Sequence, residues 1–246
     1  MIAYLRFLSG NERNREANWH LGMTLAFVAG AVNAGGFLAV SRYTSHMTGI
    51  ISSISDNMAL NRLDLAASGL AAFLAFLCGA ATSAVLINWA RRKKLRSQYA
   101  LALMFESLLL LAFGFLGAYL KQFVEFFVPA TVLLLCYMMG LQNAIISKIS
   151  NSEIRTTHMT GNTTDLGIEL GKLFYWNIDG VQPEKVRANR EKLAIHAGLI
   201  GQFVLGGFLG AVGFKSIGYV STLPLAALLF VVAAVPVLDD LRVSPR

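Results

Sequence analysis

The chain has 246 residues, of which 55% are hydrophobic and only 14% charged, and its net charge is +7. A soluble domain of this length would need far more charge to cover its surface, so the composition excludes an ordinary water-soluble fold. The positive excess is read as the cytoplasmic bias of a membrane protein, and no nucleic-acid partner is expected.

In chain order, a basic, polar stretch up to Asn18 precedes the first long apolar run. No small-residue cleavage site follows that run, so it is read as an uncleaved span. A membrane-crossing helix needs about 20 mainly apolar residues. Runs of that kind lie near residues 20–40, 65–89, 99–120, 126–146, 194–214 and 217–238. Two further segments, 47–60 and 159–176, have a helical pattern but are too short or too polar to cross. The second carries Asp165, Glu169 and Lys172, which are costly at the bilayer centre. The stretch 182–192, opening at Pro183, is expected to form a short solvated helix. Cys78 and Cys136 fall inside apolar runs and are expected to be reduced packing residues.

Loop charge tests this scheme. With six spans, 17 of the 21 Lys and Arg residues fall on the side of the termini, including the cluster Arg91, Arg92, Lys93, Lys94 and Arg96. The other side holds Arg42, Arg62, Lys121 and Lys215. That split predicts a multi-pass protein of the bacterial inner membrane with both termini cytoplasmic.

The most informative feature is internal similarity. Gly30, Asn33 and Ala34 match Gly140, Asn143 and Ala144, and each set is followed by His-Met-Thr-Gly, at His46–Gly49 and at His158–Gly161. A short helix and two spans then follow in both copies. Three spans per half is an odd number, so the halves would be inserted in opposite orientations, with any shared site near the midplane. The expected fold is therefore an all-α integral membrane protein of six spans, as two inverted three-span repeats with a short re-entrant half-helix in each. The chain is read as a single membrane domain, 1–246, with repeats at about 19–120 and 123–238 and a cytoplasmic loop at about 177–192.

The signature suits a solute site. Thr48 and Thr160 are expected to cap the half-helices, with Gly49 and Gly161 permitting a tight turn and close backbone approach. Helix N-termini meeting at the midplane would favour an anion or an acceptor-rich neutral solute. His46 and His158 could donate to that solute, gate its path or shuttle protons. Asn33, Asn143 and Asn162 complete the candidate set. The competing reading is that all these residues only cap and pack two irregular segments. Glu106, within the third run, is a candidate for proton coupling, since an ionisable residue at that depth is a functional hypothesis by default. Gln142 and Gln202 read as interhelical hydrogen-bonding residues, and Gly79/Ser83 and Gly206/Gly210 as close helix packing. No protease, hydrolase, nucleotide-binding or cysteine-rich metal motif occurs, so neither enzymatic activity, cofactor nor metal is expected.

The stretches Ala29–Phe37, His46–Gly49, Gly140–Ala144 and Thr156–Gly167 together resemble the YoaK-like bacterial membrane proteins of uncharacterised function. The resemblance spans essentially the whole chain and implies an inner-membrane protein without supplying an activity. Two positions depart from it: Asn33 stands where the family often has Asp, and Ile50 where it has Asn. The leading expectation is a transporter or channel for a small anionic or neutral polar solute. The alternative is a non-transport membrane scaffold or assembly protein. The expected partners are the lipid bilayer and a small-molecule solute, with homo-oligomerisation left open.

Overall fold

The computed structural model describes residues 2–10, 14–119, 124–177 and 185–242. All regular structure among them is helical: α1 (Ile2–Ser9), α2 (Arg15–Val40), α3 (Met47–Ala59), α4 (Leu63–Arg92), α5 (Ala100–Tyr119), α6 (Val124–Ile149), α7 (Met159–Leu173), α8 (Arg190–Ile217) and α9 (Thr222–Arg242). Five apolar helical stretches are long enough to cross a membrane. The last of them, Arg190–Arg242, is 53 residues long and is divided by a 3-10 turn at Gly218–Ser221 into α8 and α9. Gly218 has a φ of 64°, a conformation that a side chain resists, and it breaks the helix there.

Local signals account for several boundaries. The Asn14 side chain accepts from the backbone N–H of Ala17 at 2.7 Å and starts α2. Asn189 does the same for α8, accepting from the N–H groups of Glu191 and Lys192. Arg91 and Arg92 close α4, where cations complement the helix dipole.

Three expectations change. The sixth apolar run begins at Thr222 rather than at 217, because Ile217 still belongs to α8. The solvated helix expected over 182–192 is not formed in its described part. Residues 185–189 lack regular structure, and 190–192 are the first turn of α8, because Asn189 caps that helix. Residues 182–184, like 178–181 of the loop expected at 177–192, lie outside the described residues. The polar N-terminus also contains a helix, α1, tied to the far end of the chain. Ser9 Oγ donates to Val232 O at 2.6 Å, and the Arg6 guanidinium pairs with both carboxylate oxygens of Asp239 in α9.

Helix pairing sets the frame. The most extensive packing is of α2 along α8 and of α6 along α4, while α5 packs on α9. α3 lies on α4, and α7 lies on α8. Four glycines let the main pairs approach closely. A methyl group on Gly30 would sit 2.0 Å from Phe203 O, and one on Gly206 2.0 Å from Phe27 O. In the other pair, a methyl group on Gly140 would sit 2.0 Å from Phe76 O, and one on Gly79 1.9 Å from Tyr137 O. Both crossings are backbone-to-backbone contacts of the kind that small residues permit between membrane helices.

Polar ties are few and directed. Gln142 Nε2 donates to Leu25 O at 3.3 Å between α6 and α2, as expected of it, and Ser107 Oγ donates to Ala226 O at 2.8 Å between α5 and α9. The core is apolar, with Leu21, Leu25, Leu103, Phe113, Met138 and Ile145 among its fully buried members. The exterior is apolar too. Leu70, Leu74 and Val85 on α4 and Val204, Phe208 and Val212 on α8 are all exposed. Large apolar side chains on the outside of long helices are what a hydrocarbon surrounding requires.

Candidate functional site

Both signatures are built in the same way. α2 ends at Val40, where Ser41 turns left-handed (φ 53°) and its N–H closes on Phe37 O at 2.8 Å. Five residues later His46 opens α3 with φ −93° and ψ 74°. α6 ends at Ile149, and the left-handed residues Asn151 and Ser152 reverse the chain. His158 then opens α7 with φ −83° and ψ 64°, close to the values of His46.

The expected caps need correcting. The cap position is held by His46 and His158, neither of which makes a side-chain cap hydrogen bond, and Thr48 and Thr160 lie inside the first turn. The helices start two residues earlier than Thr capping would require, at Met47 and Met159. The glycines also serve another purpose than a tight turn, since both are helical. A methyl on Gly49 would lie 2.6 Å from His46 Nδ1, and one on Gly161 2.2 Å from His158 Nδ1. Glycine at this position is what lets each imidazole fold back over its helix end.

The two copies share one cavity of about 570 Å³. Of the residues anticipated from sequence, Asn33, His46, Thr48, Asn143, His158 and Thr160 line it. Gly49 and Gly161 lie behind the two imidazoles. Asn162 does not line the cavity. It is buried, donates through Nδ2 to Arg155 O at 2.8 Å, and has its Oδ1 3.3 Å from His196 Nδ1. Glu106 lies elsewhere: it is fully buried in α5, and neither carboxyl oxygen has a hydrogen-bond partner among the described residues.

Several lining residues escaped sequence reasoning. Tyr43 and Arg155 occupy equivalent positions three residues before each His, and Ser45 and Thr157 immediately precede it. Phe76 and Phe203 line the cavity from α4 and α8, each three residues before a packing glycine. Their carbonyl oxygens are the very atoms that Gly140 and Gly30 approach. The available signal was the longer alignment of the two copies, in which Thr44-Ser45 matches Thr156-Thr157. Both Thr44 and Thr156 are buried, with hydroxyls lacking partners among the described residues.

The two asparagines differ. Asn143 is engaged at both ends of its amide, donating to Met139 O at 2.8 Å and accepting from Thr157 Oγ1 at 2.7 Å. Asn33 is 8% exposed, and its buried Oδ1 has no partner among the described residues. The charge balance of the lining is one-sided. Arg155 is its one formally charged residue, no carboxylate is present, and the first turns of α3 and α7 add the positive ends of two helices. Such a lining can hold an anion or an acceptor-rich polar group and opposes a bare cation.

A second cluster lies on α7 and α8. Glu169 accepts from Lys172 Nζ at 2.8 Å and from the Asn189 N–H at 2.7 Å, which hold its carboxyl below the ordinary carboxylate value. Among the described residues no group of three or more His, Cys, Asp or Glu is placed to hold a metal ion.

Long apolar helices, an apolar exterior and a polar cavity between paired helices define a membrane-type helical protein. The chain belongs to the family described as protein of unknown function, DUF1275, which it matches over residues 21–235, a stretch that includes both signatures. No curated protein and no solved structure matches it.

Proposed function

We propose that this chain is a transporter or channel for a small anionic or neutral polar solute in the bacterial inner membrane. In this reading α2, α4, α5, α6, α8 and α9 each cross the bilayer, both termini are cytoplasmic, and the two three-span halves are inverted repeats. Correspondence of the packing supports the repeat, with α2 on α8 answering to α6 on α4, and α3 on α4 answering to α7 on α8. α3 and α7 are the re-entrant half-helices. With 13 and 15 residues, they reach only about 20 Å at 1.5 Å per residue, short of the roughly 30 Å hydrocarbon core.

The observation that carries the function is the shared cavity, in which both His-Met-Thr segments and both asparagines meet. A volume of about 570 Å³ falls in the range typical of small-molecule sites, roughly 300–1,000 Å³. Unpaired polar groups at membrane depth need water or a ligand.

The test is chemical access. In a background with Cys78→Ser and Cys136→Ser, Thr48→Cys and Thr160→Cys are each expected to react with a small charged thiol reagent. Thr48→Cys should be reached from outside the cell and Thr160→Cys from the cytoplasmic side of inverted vesicles. If neither reacts while a surface control at Arg42→Cys does, the cavity is dry and the chain is better read as a scaffold.

A further inference from the structure

We infer that the cavity takes an organic monoanion, a small carboxylate on an apolar body, and that Arg155 is the charge that selects it. This deepens the reading of the cavity as a solute site and rests on it. Arg155 lines the cavity with no Asp or Glu beside it, and among the described residues no carboxylate lies within 4 Å of its side-chain nitrogens. A single unneutralised cation is matched by one negative charge. Arginine in particular presents a planar fork suited to a carboxylate.

The surroundings of Arg155 are held in place. Its carbonyl accepts from buried Asn162, and α7 begins four residues later, at Met159, which lines the same space together with Thr160. In the first copy the equivalent residue is Tyr43, so the charge sits at one end of the cavity only and orients the ligand. Asn33 points independently to a ligand. It is more than nine-tenths buried, lines the cavity and leaves its amide oxygen unpartnered, whereas Asn143 spends both ends of its amide within the protein. Phe76 and Phe203 supply the apolar walls. A bare inorganic anion would use neither these rings nor most of the volume.

The test uses the full chain in detergent, with benzoate as probe, benzamide as its neutral isostere, and chloride. Titration calorimetry is expected to show benzoate binding, with benzamide at least roughly tenfold weaker, since a charge-assisted pair is lost. Arg155→Gln is expected to weaken benzoate by roughly ten- to a hundredfold with the melting temperature unchanged, and Arg155→Lys to retain part of the affinity. Phe76→Ala is expected to weaken benzoate as well. Absence of benzoate binding, equal binding of benzamide, or unchanged affinity in Arg155→Gln would each overturn the assignment. Chloride binding that Arg155→Gln abolishes, without benzoate binding, would overturn the organic part of it. These outcomes leave the solute cavity standing, because its own test is the labelling of Thr48→Cys and Thr160→Cys.

Discussion

In the first copy of the signature, α3 buries none of its residues, and the Asn33 amide oxygen has no partner among the described residues. In the second, α7 buries Asn162 and Glu169, and these reach Arg155, His196, Lys172 and the start of α8. The backbones that carry the two copies are nevertheless alike, down to the torsions of His46 and His158 and the glycine beneath each ring. The comparison separates two layers of the design. Helix crossings and helix ends are kept in duplicate by steric fit, which tolerates little change. Side-chain ties have diverged, so that α7 and Asn143 are braced within the protein while α3 is unburied and the Asn33 amide oxygen has no partner among the described residues.

The steric layer should be equally intolerant in both halves. Gly79→Ala and Gly206→Ala each set a methyl against a backbone carbonyl, of Tyr137 at 1.9 Å and of Phe27 at 2.0 Å. Backbone cannot swing aside as a flexible side chain can. Each substitution is therefore expected to cost about 3 kcal/mol or more, the upper end for overpacking. Thermal unfolding in detergent would show large and similar losses. If one of the two is tolerated, the crossings are not equivalent and the comparison fails at its base.

The polar layer should respond oppositely in the two copies. Asn143→Ala removes two hydrogen bonds and strands the Thr157 hydroxyl, and is expected to cost about 1–2 kcal/mol. Asn33→Ala removes no side-chain hydrogen bond among the described residues and should change stability by less than about 0.5 kcal/mol, while weakening benzoate binding. Equal stability losses in the two variants would mean that Asn33 is as structural as Asn143, which would remove it from the site.

Much of this arrangement was legible in the sequence, because its strongest determinants are local. Apolar runs of span length announced α2, α4, α5 and α6 within a few residues, and the repeated His-Met-Thr-Gly located both short helices. Legibility failed where the deciding partner is distant in the chain. α1, at eight residues, is too short to announce itself, and its fit depends on Asp239 and Val232 at the opposite terminus. Arg155 reads as one more basic loop residue until the cavity is assembled around it, and Phe76 and Phe203 read as two of 16 Phe in apolar runs. The glycines after each Met-Thr pointed to a tight turn. Their reason is the imidazole packed over them, which periodicity cannot reveal.

The finest difference between the copies is titratable. Glu169 on α7 occupies the position that Asn57 holds on α3, where the Asn57 side chain bonds back within its own helix to Ser53 O and Oγ. Lys172 and the Asn189 N–H favour the ionised form of Glu169 and hold its carboxyl below its ordinary value of 4.5. A carboxyl depressed in the folded state contributes stability that is fully present above its unfolded value and is lost as pH falls through the folded one. The excess stability of the wild type over Glu169→Gln should therefore be constant from neutral pH down to about 5 and close as the pH falls further. Melting curves of the two proteins across that range would show the gap closing. The effect should be small, because Lys172 is partly exposed to solvent and its pairing is screened. Asn57→Ala, lacking a titrating group, should show no such pH-dependent gap. A gap in Glu169→Gln that persists unchanged into acid would mean that the brace on α7 does not depend on charge, and the two copies would then differ in packing alone.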